Sequence, residues 1–422
     1  MGHPSMSERR VVVVGGGVIG VACAHYLQQH GWGVTVIDKG TIGGACSHGN
    51  CGLVCPSHVL PLAEPGAISQ AIWSLLNPDA PFRVKPRLDL GLWLWMWHFA
   101  RRCNRRDMVT TGHSIQPILE SSLAEYRDLV ERERLDCEWQ KRGLLFAYRT
   151  KAPFEAYAAT DRLLAETFHA PAQRFDGDAV CELEPALKPG LAGGWYYDHD
   201  AHLRPDKLMS SWRTLLASRG ATFREQCEFR GFERADGQVS SVLTSRGPIA
   251  ADAVVVATGA LTPLLSEHLG CRIPIQPGKG YSITMPRPQQ CPAIPLIFPE
   301  HRVAVTPMQS GYRLGSIMEF AGYDDSLSPQ RLELLTRGAT PYLHEPTAEP
   351  IVEQWTGWRP MTWDSLPIID RAPVADNVWI AAGHNMVGIS MAPGTGRLIG
   401  ELVSGRPPHI NPGPYSLTRF GR

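Results

Sequence analysis

At 422 residues the chain is too long for one simple core, so two domains sharing an interface are expected, and ligand sites favour such interfaces. Lysine plus arginine equals aspartate plus glutamate at 41 each, which excludes a global field for nucleic acid, and no nucleic-acid partner is expected. The ten cysteines are scattered, no apolar run reaches the ~20 residues of a spanning helix, and no N-terminal segment reads as a secretion signal, which together point to reduced thiols in the cytosol.

The first residues, MGHPSMSERR, read as a lead-in with Met6 as a second start. Val11 to Val14 are four consecutive β-branched residues, the mark of a strand buried on both faces in a parallel sheet. Gly15, Gly17 and Gly20 follow at G-x-G-x-x-G spacing: one for the tight turn, one for backbone approach to a pyrophosphate, one for helix-on-strand packing. Val18, Ile19, Ala22 and Tyr26 recur at helical spacing, and the N–H groups at that helix's start can bind phosphate without a cationic side chain. Gly31 closes the helix, and Val34, Val36 and Ile37 restart a strand that ends in Asp38. A carboxylate there can accept from both hydroxyls of an adenosine ribose and would repel a 2′-phosphate. An ordinary βαβ turn with incidental glycines leaves Asp38 unexplained.

The next segment, from Lys39 to Pro61, is rich in glycine, cysteine and histidine and reads as a loop laid against a ligand. Cys46, Cys51 and Cys55, with His48 and His58, raise a metal reading, but their spacing matches neither zinc pairs nor iron–sulfur runs, so no metal is expected. Prolines break the chain between Pro61 and Pro86. Residues 88–106, LDLGLWLWMWHFARRCNRR, then place Trp93, Trp95 and Trp97 where one helical face cannot hold all three. Burial all round is the favoured reading. The alternative is contact with a membrane surface or a partner subunit, with Arg101, Arg102, Arg105 and Arg106 meeting anionic headgroups, which would make the protein peripheral on the cytoplasmic membrane. A helix is expected from about Ile115 to Leu135 and a strand from Gly143 to Tyr148.

Further on, Leu208 to Ser218 reads as a helix, Ala221 to Phe229 and Gly231 to Arg234 as strands, and Asp236-Gly237 as a hairpin turn before the strand Val239 to Thr244. Ala251 to Ala257 is another buried parallel strand, and it runs into Thr258-Gly259-Ala260 beside the same dinucleotide. Val378 to Ala382 is a short strand, and Gly383 to Gly388 leads into a helix from Ile389 to about Val403.

In this order the motifs resemble the D-amino-acid oxidase superfamily of flavoproteins, and more closely its bacterial D-amino-acid dehydrogenase branch. The resemblance runs through nearly the whole chain. Beside the glycine fingerprint it rests on Ser47 to Gly52, Leu183 to Leu187, Asp198 to Pro205, Val254 to Gly259, Pro274 to Ser282, Tyr312 to Glu319, Trp355 to Asp370 and Gly383 to Gly396. It implies an α/β plus α+β architecture: an FAD-binding Rossmann-type (glutathione-reductase-like) domain from 9–63, 200–262 and 350–418, with an interleaved antiparallel-sheet substrate domain from 64–199 and 263–349. It also implies non-covalent FAD held by Gly15, Gly17, Val18, Ile19, Gly20, Asp38, Lys39, Ser47, Asn50, Gly52, Leu53, Thr258, Gly259, Gly383, Val387, Gly388 and Ile389. Trp355 to Asp370 holds no cysteine to link a flavin, and His48 aligns one residue away from a linking histidine.

The implied activity is oxidation of a D-amino acid to the imino acid by hydride transfer from Cα to flavin N5, with electrons passing to a quinone, a redox protein or another acceptor. Alternatives are a dehydrogenase or oxidase of a secondary amino acid (proline, hydroxyproline or sarcosine) and a flavin subunit of a larger electron-transfer complex. Arg359 is the implied carboxylate anchor, since a guanidinium fork takes both oxygens and stays charged in a dry pocket. Tyr281 and then Tyr312 are candidates to share that carboxylate. His384 is either substrate-shaping or an acid–base group, and Lys279 is a candidate for tuning dioxygen reactivity. The N–H groups of Val387, Gly388 and Ile389 would stabilise negative charge at flavin N1 and the C2 carbonyl.

Overall fold

The computed structural model describes residues 9–69, 80–85 and 87–421, so the lead-in through Glu8 and Pro78 and Pro86 of the proline-rich stretch lie outside the described residues. The first valine run forms the strand Arg10–Val14 at the centre of a six-stranded sheet. It pairs in parallel with Gly33–Ile37 on one side and Ala253–Val256 on the other. Val378–Ala382 lies beyond Ala253–Val256, also parallel, with Ile368–Arg371 antiparallel at that edge and Thr222–Arg224 at the opposite one. Val11 and Val13 face one apolar core while Val12 and Val14 face another, which is why the run is unbroken rather than alternating.

Two helices, Val18–Gln29 and Gly388–Val403, pack together in the first of these cores. A methyl group on Gly20 would stand 1.9 Å from the Gly15 carbonyl oxygen, so the third glycine lets the helix lie against the turn. The second core is closed by three antiparallel strands, Phe229–Ala235, Gln238–Thr244 and Ile249–Ala250. Asp236 (φ 50°) and Gly237 (φ 80°) make the expected hairpin turn. The strand expected to reach Phe229 ends instead at Arg224, because Gln226 and Cys227 turn their N–H groups to the carbonyls of Gly40 and Asp38.

A nine-stranded sheet forms the second layer, built around the long antiparallel strands Ile275–Met285, Gly311–Phe320 and Glu353–Thr362. Glu353–Thr362 pairs with Ile275–Met285 along its whole length, so this part of 350–418 belongs by its hydrogen bonds to the second sheet, not to the nucleotide side. The segment 64–199 divides as well. Its long helix is Arg105–Glu131, starting before Ile115 because the Asn104 side chain caps it by accepting from Asp107 N. That helix packs on Gly388–Val403, with Tyr126 Oη donating to Ile389 O at 2.8 Å and Gly394 N donating to Ser122 Oγ at 2.9 Å.

The tryptophan helix, Leu90–Arg102, is not buried all round. Leu92, Trp95 and Phe99 enter a core with Phe320 and Met361, but Trp93 is 44% exposed, Trp97 50% and Leu90 89%. Among the described residues no helix is long and apolar enough to cross a membrane.

Candidate active site

A cavity of about 570 Å³ opens over the C-terminal ends of the parallel strands, where the second sheet faces the first. Val14 and Gly15, Ile37 and Asp38, and Ala257 and Thr258 line it, each pair ending a strand. With strands ~4.8 Å apart, the edge from Gly33–Ile37 to Val378–Ala382 spans roughly 14 Å, which suits an extended dinucleotide better than a compact ligand.

The glycine turn is shaped for close approach. Gly15 adopts φ 109°, and a Cβ there would lie 2.5 Å from Ala257 O. Gly17 opens on the cavity with Val18 and Ile19, and Ser47 Oγ accepts from Val18 N at 2.9 Å. Asp38 accepts from Gly16 N and Gly40 N, both at 2.7 Å, so its carboxylate is fixed in the wall. Lys39, Asn50, Gly259, Gly388 and Ile389 also line the space. The last two begin a helix, and first-turn N–H groups have no intrahelical acceptor, which leaves a positive dipole end at the cavity.

Five expected contacts fall outside the cavity wall. Gly20 is used up against Gly15, and Gly52 against the Leu203 carbonyl, where a Cβ would lie at 2.0 Å. Leu53 pairs with His202 in a two-stranded ribbon, Gly383 packs on Thr362, and Val387 turns into the helix-packed core.

From the opposite sheet, Trp355 to Pro360 supply the facing wall. Arg359 is the cation there. Its Nη1 donates to Ile317 O at 3.0 Å and its Nη2 to Ser316 O at 2.5 Å, and among the described residues no carboxylate pairs with it. Both acceptors sit where the register of Ile275–Met285 against Gly311–Phe320 shifts: Gly280 opposes Met318, but Ser282 opposes Gly315. That bulge, with Ser316 at φ 109°, turns two successive carbonyls onto the guanidinium. Gly280 makes room for it, since a Cβ there would lie 2.5 Å from Arg359 Cζ. Burial lowers the Arg359 pKa in direction, but a guanidinium keeps its charge. His384 also lines the cavity. Burial pulls it down to about 3, and its Nε2 meets Thr395 Oγ1 at 3.0 Å, so it stands as a neutral wall residue.

The tyrosine expectations are corrected by strand alternation. Gly280 faces Arg359, so Tyr281 must face the other side of the sheet, where it is fully buried and donates to Glu319 Oε2 at 3.1 Å. Lys279 also points away, bonded to Ser326 O and 3.5 Å from Asp324. Tyr312 lies in the same far core, with its hydroxyl 3.4 Å from Pro346 O. Sequence reasoning missed Trp355, Thr356 and Trp358 on the wall, and Cys227, Glu228 and Phe229 beside Asp38.

Residues 10–402 match the FAD-dependent oxidoreductase family DAO. The chain belongs to this family. A protein of Paramagnetospirillum magneticum named D-amino acid dehydrogenase is 32% identical over 97% of this chain and 99% of its own. A protein of the same name from Chromohalobacter salexigens is 32% identical over 97% and 99%. Among solved structures, glycine oxidase from Geobacillus kaustophilus aligns with a TM-score of 0.78 at 23% identity, covering 97% and 99% of the two chains. L-proline dehydrogenase from P. horikoshii aligns with a TM-score of 0.74 at 20% identity, covering 98% of each chain. At these identities the two structures speak to the fold, which is the Rossmann-type FAD-binding fold with its antiparallel partner sheet.

FAD is the cofactor of this oxidoreductase, and the cavity fits it: a side-chain-free phosphate turn, a fixed acid at the second strand's end and a helix N-terminus at the other end of the wall. Linkage sites are poorly disposed. Burial pushes the Cys46 thiol up and away from its nucleophilic thiolate, and His48 Nε2 is held 2.7 Å from Glu353 Oε1. Purified protein should therefore release its yellow colour into the supernatant on acid precipitation. Flavin retained in the pellet would contradict non-covalent binding.

Proposed function

We propose that this oxidoreductase oxidises a D-amino acid at Cα to the imino acid and passes the electrons to a quinone or a redox protein. The names of the curated relatives support the substrate class. Arg359 is the observation that carries the reading, because a buried cation held by carbonyls alone keeps N–H groups and net charge for an incoming carboxylate. Bound FAD supplies a hydride acceptor. The chain's own residues bind the carboxylate at Arg359, line the space beside it with Trp355, and present His384 as a neutral wall residue that adds no second positive charge. No acid or base need act at Cα, since the wall can select the neutral amine and hydride transfer then requires alignment only.

The acceptor bears on the tryptophan helix. Leu90, Trp93, Leu94, Trp97 and Arg101 follow one another at helical spacing on its exposed side, with Leu88 before them and exposed Arg105 and Arg106 after them. An apolar stripe with a basic end suits an anionic membrane surface, where a lipid-soluble quinone would be available. Holoenzyme should float with vesicles containing phosphatidylglycerol, less so at high salt, and a Trp93→Ser/Trp97→Ser variant should stay behind. Equal flotation of both proteins would remove the helix from the reading.

Replacing Arg359 with lysine keeps the charge and loses the fork, so kcat/KM for the amino acid should fall by about 1.5–3 kcal/mol in transition-state stabilisation, the worth of a charged hydrogen bond. Flavin content should stay normal, and the decarboxylated amine should lose far less. Equal losses for acid and amine would mean that Arg359 supports the fold rather than the substrate.

A further inference from the structure

Three donors meet outside the cavity just described. Cys55 Sγ, a ring nitrogen of His58 and a carboxylate oxygen of Asp200 all lie within 4.8 Å of one another. The first two belong to one turn, Cys-Pro-Ser-His, closed by His58 N donating to Cys55 O at 3.2 Å. Asp200 comes from a distant segment, which is held beside this loop by the pairing of Leu53–Val54 with Ala201–His202. The sequence expectation against a metal weighed Cys46, Cys51 and Cys55 with His48 and His58; Cys46 and Cys51 lie near Arg359 instead, and Asp200, distant in sequence, was not among them.

The cluster is built around an enclosed carboxylate. Asp200 is 0% exposed and Cys55 2%, and among the described residues no cationic side chain pairs with Asp200. Ser57 donates to it twice, Oγ to Oδ2 at 2.6 Å and N to Oδ1 at 3.2 Å, and the Cys55 thiol is a further hydrogen-bond partner. An isolated buried anion is unfavourable, so the group must hold a proton or a cation.

We propose that Cys55, His58 and Asp200 form a binding site for one divalent transition metal of the zinc class. The charges close: a thiolate and a carboxylate sum to two negative charges, the imidazole is neutral, and one divalent cation balances them. Binding releases the thiol proton, and any proton on Asp200, to solvent. The sulfur, nitrogen and oxygen donors suit a tetrahedral zinc-like ion rather than magnesium or calcium, which want oxygen ligands alone. Three protein ligands leave a fourth position for water, reached past the partly exposed His58 ring. Ser57 orients the carboxylate by its two hydrogen bonds, as outer-shell groups do at metal sites. The bound ion ties the loop after the second strand to the segment that enters the second sheet.

The test uses flavin-loaded protein dialysed against a chelator and then titrated with cobalt(II). Tetrahedral cobalt absorbs at longer wavelength than oxidised flavin, so its d–d bands can be followed directly. The wild type should take up about one cobalt per chain, with thiolate charge-transfer intensity, and release it to zinc. Cys55→Ser and Asp200→Asn should lose the spectrum at unchanged flavin content, and Ser57→Ala should weaken binding about 10- to 100-fold. His58→Ala changes a partly exposed ring and keeps the test open if the two buried substitutions do not fold. The absence of tetrahedral cobalt absorption in the wild type would overturn the site, as would an identical spectrum in the His58 and Cys55 variants, which would place the metal on another cysteine.

Discussion

A guanidinium enclosed with no carboxylate to neutralise it is the constraint on which the rest of the site depends. Removing a cation from water is unfavourable unless its N–H groups and charge are met, and two carbonyl oxygens, which carry no net charge, meet only part of what Arg359 offers. Regular pairing would send those carbonyls into the sheet's own ladder. The bulge at Ser316 and Ile317 frees them, at the expense of a positive φ on a residue with a side chain. Opposite the bulge, Gly280 offers no side chain, so the guanidinium lies flat against the strand. Bulge, glycine and arginine come from three adjacent strands, and none of them would place the charge alone.

Arg313, a second buried arginine, links this sheet to the nucleotide side. Its Nε donates to Thr284 Oγ1 at 2.9 Å, and its Nη1 donates to His48 O at 2.8 Å and Asn50 O at 2.7 Å. It thereby fixes the loop that presents Ser47 to Val18 N. Glu353 closes the network by meeting His48 at 2.7 Å and Arg313 at 3.7 Å. Arg313 is thus a positioning residue with its donors engaged, whereas Arg359 keeps capacity for a ligand. The cofactor turn and the substrate wall are held in register by side chains of the second sheet acting on loop carbonyls of the first.

Legibility followed the range over which each feature is encoded. The valine run, the glycine spacing and Asp38 are local, and the structure forms strand, turn and helix where the spacing demanded them. Arg359 was readable because its motif is contiguous. Tyr281 was misjudged because proximity in sequence to Gly280 says nothing of side, and a strand sends neighbours to opposite faces. The bulge has one local mark, Gly315 inside the strand, but the residue that takes the positive φ and the cation its carbonyls meet are set by the pairing of three strands. Trp93 and Trp97 carried an ambiguity that only the tertiary packing of Trp95 resolves. Glu353–Thr362 was assigned to the nucleotide side because the chain returns there soon after, though its hydrogen bonds join the other sheet.

The account stands most directly on whether the charge of Arg359 is offered to a carboxylate. A simple carboxylate that cannot be oxidised, such as benzoate, should perturb the absorption of the oxidised flavin when it binds, giving a Kd without turnover. Arg359→Met should abolish that perturbation while retaining flavin, and Gly280→Ala, which crowds the guanidinium without removing it, should weaken it. An unchanged Kd in Arg359→Met would contradict the account, because the anion would then be held elsewhere in the cavity.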